Sequence, residues 1–304
     1  GSKENFYKKV STSCGDINLL CAKDVRRNGE KMKTEKKKKH FVFKRVLLGG
    51  VILLTAVTGT YSHFGGFGTG ECANTEEFAK YAASLEDITV PEQTRIVALG
   101  EATHGNVEFQ QLKLDVFQIM VENYGVRAFA LEGDFGGCEA VNRYIHGGEG
   151  TAEDAAAAIG FALYRTDQMA ELIEWMRAYN ETAGEGDDLC FYGFDMQRQG
   201  YNYRYLMEAA KESEVDTAQL EEIWDSQQQR FSDAYTAEQK TEIIASVKEE
   251  LEGKDAARTA QAIHFADTLL QNIELGRHYE NAGDGSVVRD QMMAENAMWI
   301  LKQE

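Results

Sequence analysis

The 304-residue sequence has one proline, Pro91, and no C-x-x-C pair among its five cysteines. Isolated cysteines give neither a zinc site nor a disulfide framework, so structural thiols are the reading for Cys138 and Cys190. No 20–50-residue repeat stands out, which excludes a solenoid. A G-x-S-x-G elbow, a G-x-x-x-x-G-K-[ST] loop and an H-E-x-x-H pair are all lacking, which removes support for serine-hydrolase, nucleotide-binding and zincin readings. Basic residues are also scarce: 32 Lys and Arg stand against 50 Asp and Glu, a formal charge of −18. A general nucleic-acid binder needs a basic face to neutralise phosphates and is disfavoured. What is present is 43% hydrophobic and 27% charged residues, the mixture of a chain that buries a core.

The charge is unevenly spread. Residues 1–45 carry fourteen basic and five acidic residues, net +9, which leaves −27 for residues 46–304. Lys36-Lys37-Lys38-Lys39 and Lys44-Arg45 lead into an uncharged stretch, 46–70, whose most apolar part ends near Tyr61. A basic segment before a short apolar run is the pattern of a signal peptide or, uncleaved, of a single-pass anchor with its basic side in the cytoplasm. The sequence therefore reads as residues 1–31 upstream of a start at Met32, a basic segment 32–45, a signal or membrane anchor 46–62, a Gly-rich linker 63–75 and a domain 76–304. That domain is expected outside the cytoplasm, held at the membrane or secreted.

Within the domain, three short apolar runs at 95–99, 127–131 and 189–194 read as buried strands. Helical patterns separate them, with Leu112, Val116, Ile119 and Met120 in the first and Met169, Leu172, Ile173 and Met176 in the second. Strand–helix–strand in this rhythm implies a mostly parallel α/β sheet with flanking helices. After about Gly200, residues 236–252 and 256–279 have helical composition and few turn signals, so a helical subdomain or insertion is expected.

Each apolar run ends in an acid: Glu101 after the first, Glu132 and Asp134 after the second, Asp195 after the third. Ligands of a parallel sheet bind just outside the carboxyl ends of its strands. Helix capping is the plain alternative for Asp134 and Asp195. His104 lies three residues after Glu101 among small residues, and an imidazole beside a carboxylate suits general-base work. His146, in the Gly-rich loop 144–150, and Arg165, after Tyr164, are further candidates for substrate contact. His264 and His278 lie in helical composition and read as structural, and Tyr201, Tyr203 and Tyr205 cannot share one helical face.

Several of these segments together carry a resemblance. Gly100-Glu101-Ala102-Thr103-His104-Gly105, Ala130-Leu131-Glu132-Gly133-Asp134, Val141-Asn142-Arg143-Tyr144, Tyr164-Arg165-Thr166 and Phe191-Tyr192-Gly193-Phe194-Asp195 occur in an order that resembles the erythromycin esterase-like family. The resemblance implies an α/β hydrolytic domain with a helical insertion that cleaves a small-molecule ester or lactone, with no serine nucleophile, metal or cofactor required. It places the family's general base on His104 and its two glutamates on Glu101 and Glu132. Lys113 stands where the family carries an arginine, keeping a charge that suits a developing oxyanion on the substrate but not the planar fork. Arg289-Asp290-Gln291-Met292-Met293-Ala294-Glu295-Asn296 resembles the helix after which the family has a further strand and a second histidine motif. The resemblance thus implies a segment cut short at Glu304. Two other readings stay open: a metal-dependent hydrolase at the same residues, and an inactive cell-surface domain that only binds ligand.

Overall fold

The computed structural model describes residues 75–304 apart from 102, 103, 105 and 229–233. The expected leader, anchor and start, with Cys14, Cys21 and Cys72, lie outside the described residues. Among the described residues no helix is long and apolar enough to cross a membrane. The chain divides into two units, 1–82 and 83–304. Of the first, the helix Thr75–Ala79 is described.

The second unit begins with a 3-10 turn, Leu85–Asp87, and an irregular stretch, then helix α1 (Val107–Tyr124) and strand β1 (Ala128–Asp134). Helices α2 (Phe135–Ile145), α3 (Ala152–Ala158) and α4 (Asp167–Asn180) lead to strand β2 (Cys190–Asp195). Five further helices follow: α5 (Gly200–Glu212), α6 (Ala218–Gln228), α7 (Ala237–Glu252), α8 (Ala256–Arg277) and α9 (Gly285–Gln303). The mixed α/β character and the helical second half match the sequence expectation.

β1 and β2 pair in parallel, because three intervening helices return the chain to the same end of the sheet. Ala128 to Leu131 match Cys190 to Gly193 one for one, after which β1 carries an extra residue before Asp134 pairs with Asp195. Gly193 permits this irregularity: a Cβ there would sit 2.6 Å from the carbonyl oxygens of both Gly133 and Asp134. Two acids from different strands are thereby set side by side.

The expected strand at 95–99 is a correction. This run is irregular, with Ile96 51% and Leu99 46% exposed, and the sheet among the described residues has two strands. An apolar run records a need for cover, whereas a strand also needs a ladder partner for its amides and carbonyls, and residues 95–99 have none in this sheet.

Two cores support the sheet. In the first, Phe117 of α1 packs edge-on to Phe129, which meets Phe191 at 5.3 Å, so the α1 face and both strands share one aromatic seam. Each such buried ring contributes roughly 2–3 kcal/mol. The second core joins Phe135, at the start of α2, to Tyr203, Leu206, Ile223, Ile244, Leu251 and Phe265 of the later helices. Gly136 lets α5 approach: a Cβ on it would lie 2.5 Å from the Asn202 backbone nitrogen. The carboxyl ends of both strands are thus pressed against the helical half.

Candidate functional site at the strand ends

Asp134 ends β1 and caps α2, its carboxylate accepting from the Gly137 amide at 2.7 Å, as expected of an Asp before a helix. Asn202 of α5 donates to the same carboxylate at 3.2 Å. Burial pushes the Asp134 pKa up to about 7; the Gly137 amide opposes this and neighbouring Asp195 adds to it. Asp134 is a buried cap at the base of the site.

Asp195 has no solvent exposure. Arg289, in the first turns of α9, donates Nη2 to one of its oxygens and Nε to the other at 3.4 Å. The same Nη2 reaches Glu132 Oε1 at 2.7 Å. Burial works to lower the Arg289 pKa, yet the two carboxylates hold it above the ordinary arginine value. Glu132, the lone member of this trio with a half-exposed side chain, presents its carboxylate outward.

A second cluster stands on the loop before α1. Glu101 is 16% exposed and receives Lys113 Nζ at 2.8 Å and Gln110 Nε2 at 3.2 Å. Lys113 also turns to Gln110 Oε1 at 3.2 Å and the Phe109 carbonyl at 3.5 Å, contacts three and four residues back along α1 that helix geometry makes available. His104 Nδ1 lies 3.4 Å from Glu101 Oε1, with a 65% exposed side chain. A fixed, shielded carboxylate therefore carries a histidine that faces water.

Tyr164 adjoins both clusters. Its hydroxyl donates to the Glu132 carbonyl at 3.0 Å. Burial raises its pKa first, and the charges of Glu132 and Glu101 raise it further. Arg165 follows at the surface, its guanidinium free of ion pairs among the described residues. His146 is not brought to this end: it follows the last turn of α2, where Nδ1 meets the Asn142 carbonyl at 2.7 Å. Asp134 caps the opposite end of that helix, 11 residues or about 16 Å away at 1.5 Å per residue.

Sequence reasoning missed Arg289, Tyr164 and Asn202 as members of the site. Arg289 had a signal, since it opens one of the segments that carry the family resemblance. Among the described residues no group of three or more His, Cys, Asp or Glu is placed to hold a metal ion.

Two parallel strands delivering acids to one end, with a solvent-facing acid–base pair on a neighbouring loop, define an α/β protein with a strand-end site. The family model described as erythromycin esterase matches residues 121–304, and the chain belongs to that family. It is 27% identical over 243 residues to erythromycin esterase type II of Escherichia coli, covering 69% of this chain and 57% of the relative. It is 25% identical over 236 residues to the protein YbfO of Bacillus subtilis (strain 168), covering 68% and 52%. The chain thus spans little more than half the length of these relatives. A crystal structure of a succinoglycan biosynthesis protein shares the fold with a TM-score of 0.50 at 23% identity, over 66% of this chain and 52% of that one.

Proposed function

We propose that the strand-end site hydrolyses a carboxylic ester or lactone, with His104 activating water and no metal taking part. The observation that carries this reading is the pair itself: Glu101 immobilised by Lys113 and Gln110, and His104 held against it at 3.4 Å yet open to solvent. The imidazole takes a proton from water as the water oxygen attacks the acyl carbon, and Glu101 stabilises the resulting cation. Collapse of the tetrahedral intermediate breaks the acyl C–O bond, and the imidazolium returns its proton to the leaving alkoxide. The products are an acid and an alcohol, or one hydroxy acid from a lactone. Lys113 holds the Glu101 carboxylate in place. Glu132, tethered by Arg289, is proposed as the second carboxylate of the site.

The substrates proposed are small esters and macrolide lactones, the latter suggested by the name of the Escherichia coli relative. The domain is proposed to work outside the cytoplasm, carried there by the lysine run and the apolar stretch 46–62. The test is product analysis by mass spectrometry in ¹⁸O-labelled water, with p-nitrophenyl butyrate and a macrolide as substrates and a chelator present. One ¹⁸O in the acid product with undiminished rate supports the reading. Loss of rate with the chelator, restored by a divalent ion, transfers the site to the metal-dependent reading.

A further inference from the structure

A second concavity lies between α8 and α9, and none of its lining residues belongs to the strand-end clusters. It is an open cavity of about 490 Å³. His264 lines it at 5% exposure, its ring stacked on Trp299 with centroids 4.1 Å apart and planes 4° apart. Phe135 meets the His264 ring edge-on at 4.6 Å and the Trp299 ring edge-on at 5.6 Å. The His264 Nε2 atom is buried with no hydrogen-bond partner among the described residues, an arrangement that costs about 1–3 kcal/mol unless something fills it. Burial, with the Lys248 charge behind it, pushes the His264 pKa down to about 3, so the ring is neutral and keeps an acceptor nitrogen.

The floor is fixed. Gln271 and Asn296 exchange amide hydrogen bonds at 3.1 and 2.9 Å, and Asn296 also donates to the Phe194 carbonyl of β2. The rim carries Asp267, Glu274 and Glu295 against one cation, Lys302. Asp267 is paired with Lys248 and Glu274 with Arg277. Glu295 forms no ion pair among the described residues and is exposed.

We propose that this cavity is a binding site for an organic ammonium ion carried on an apolar body. Glu295 takes the charge, the exposed part of Trp299 contributes its aromatic surface to the cation, and Leu270 and Met292 cover the apolar body. The site stands apart from the hydrolytic one, so its test reads binding and not turnover.

The experiment is isothermal titration calorimetry of the full chain with 2-phenylethylammonium chloride, with 2-phenylethanol as the uncharged comparison and Glu295→Gln as the variant. Because Glu295 is on the surface, that variant retains the fold, which circular dichroism verifies. Saturable amine binding with Kd of about 1 mM or tighter, weakened at least about tenfold both in the alcohol and in the variant, is the expected result. Absence of saturable binding at about ten times that concentration overturns the site, and so does equal binding of amine and alcohol or an unchanged Kd in Glu295→Gln. A chain that binds the amine but hydrolyses no ester leaves this site standing and removes the hydrolytic reading alone.

Discussion

Arg289 and Asp195 meet at the end of β2, a guanidinium from the start of α9 closing on a carboxylate with no solvent exposure. The pair joins the α/β half of the domain to its last helix. Removing one partner of a buried ion pair leaves an uncompensated charge, a loss of about 3–5 kcal/mol. Arg289→Gln is therefore expected to lower stability by that amount in urea unfolding. Arg289→Lys should lose less, since the charge stays and only the fork is lost.

Asp134 makes stability depend on pH with a definite sign. Its folded pKa of about 7 exceeds the ordinary value of 3.8, so between these values the folded state holds a proton that the unfolded state has released. This contribution to stability is complete below about pH 4 and is lost as pH rises through about 7. Asp134→Asn keeps a capping side chain and removes the titration. The expected result in denaturant melts is a variant more stable than the parent at pH 8, with the advantage shrinking toward pH 4.

Gly193→Ala tests the irregular register. The added methyl would meet two backbone carbonyls at 2.6 Å, atoms that cannot swing away as a side-chain tip can. A loss of about 1–3 kcal/mol is expected from overpacking of this kind, with hydrogen exchange accelerated at the β1 and β2 amides.

These contacts mark the boundary of what was legible beforehand. The runs at 127–131 and 189–194 were readable as strands because Phe129, Leu131 and Phe191 are apolar over a strand-sized length and helical patterns separate the runs. The run at 95–99 looks the same by composition; its exposure in the structure reflects the lack of a ladder partner, which composition does not encode. Glu101 and His104 were readable because they are three residues apart. The Arg289 contacts to Glu132 and Asp195 span 157 and 94 residues, and such pairings arise from packing rather than local pattern. His146 was a candidate because of its Gly-rich loop, but α2 sets it and Asp134 at opposite ends.

Lys113 separates a supporting role from a direct one. Its ammonium is committed to Glu101, Gln110 and the Phe109 carbonyl. Lys113→Met is expected to lower kcat/KM by about 10–100-fold, the loss of a residue that orients a catalytic group, while Lys113→Arg recovers part of it. A steady-state assay on a chromogenic ester, with KM and kcat separated, reads both.

The central claim is that His104 activates water. The most direct measurement compares ester hydrolysis by the parent chain and His104→Gln under the same conditions, with folding verified by circular dichroism. Loss of a general base costs about 10²–10⁴-fold, and His104 is largely exposed and caps no core, so a drop of that size with an unchanged melting curve is the predicted result. Turnover within about threefold of the parent would contradict the account and remove His104 from the chemistry.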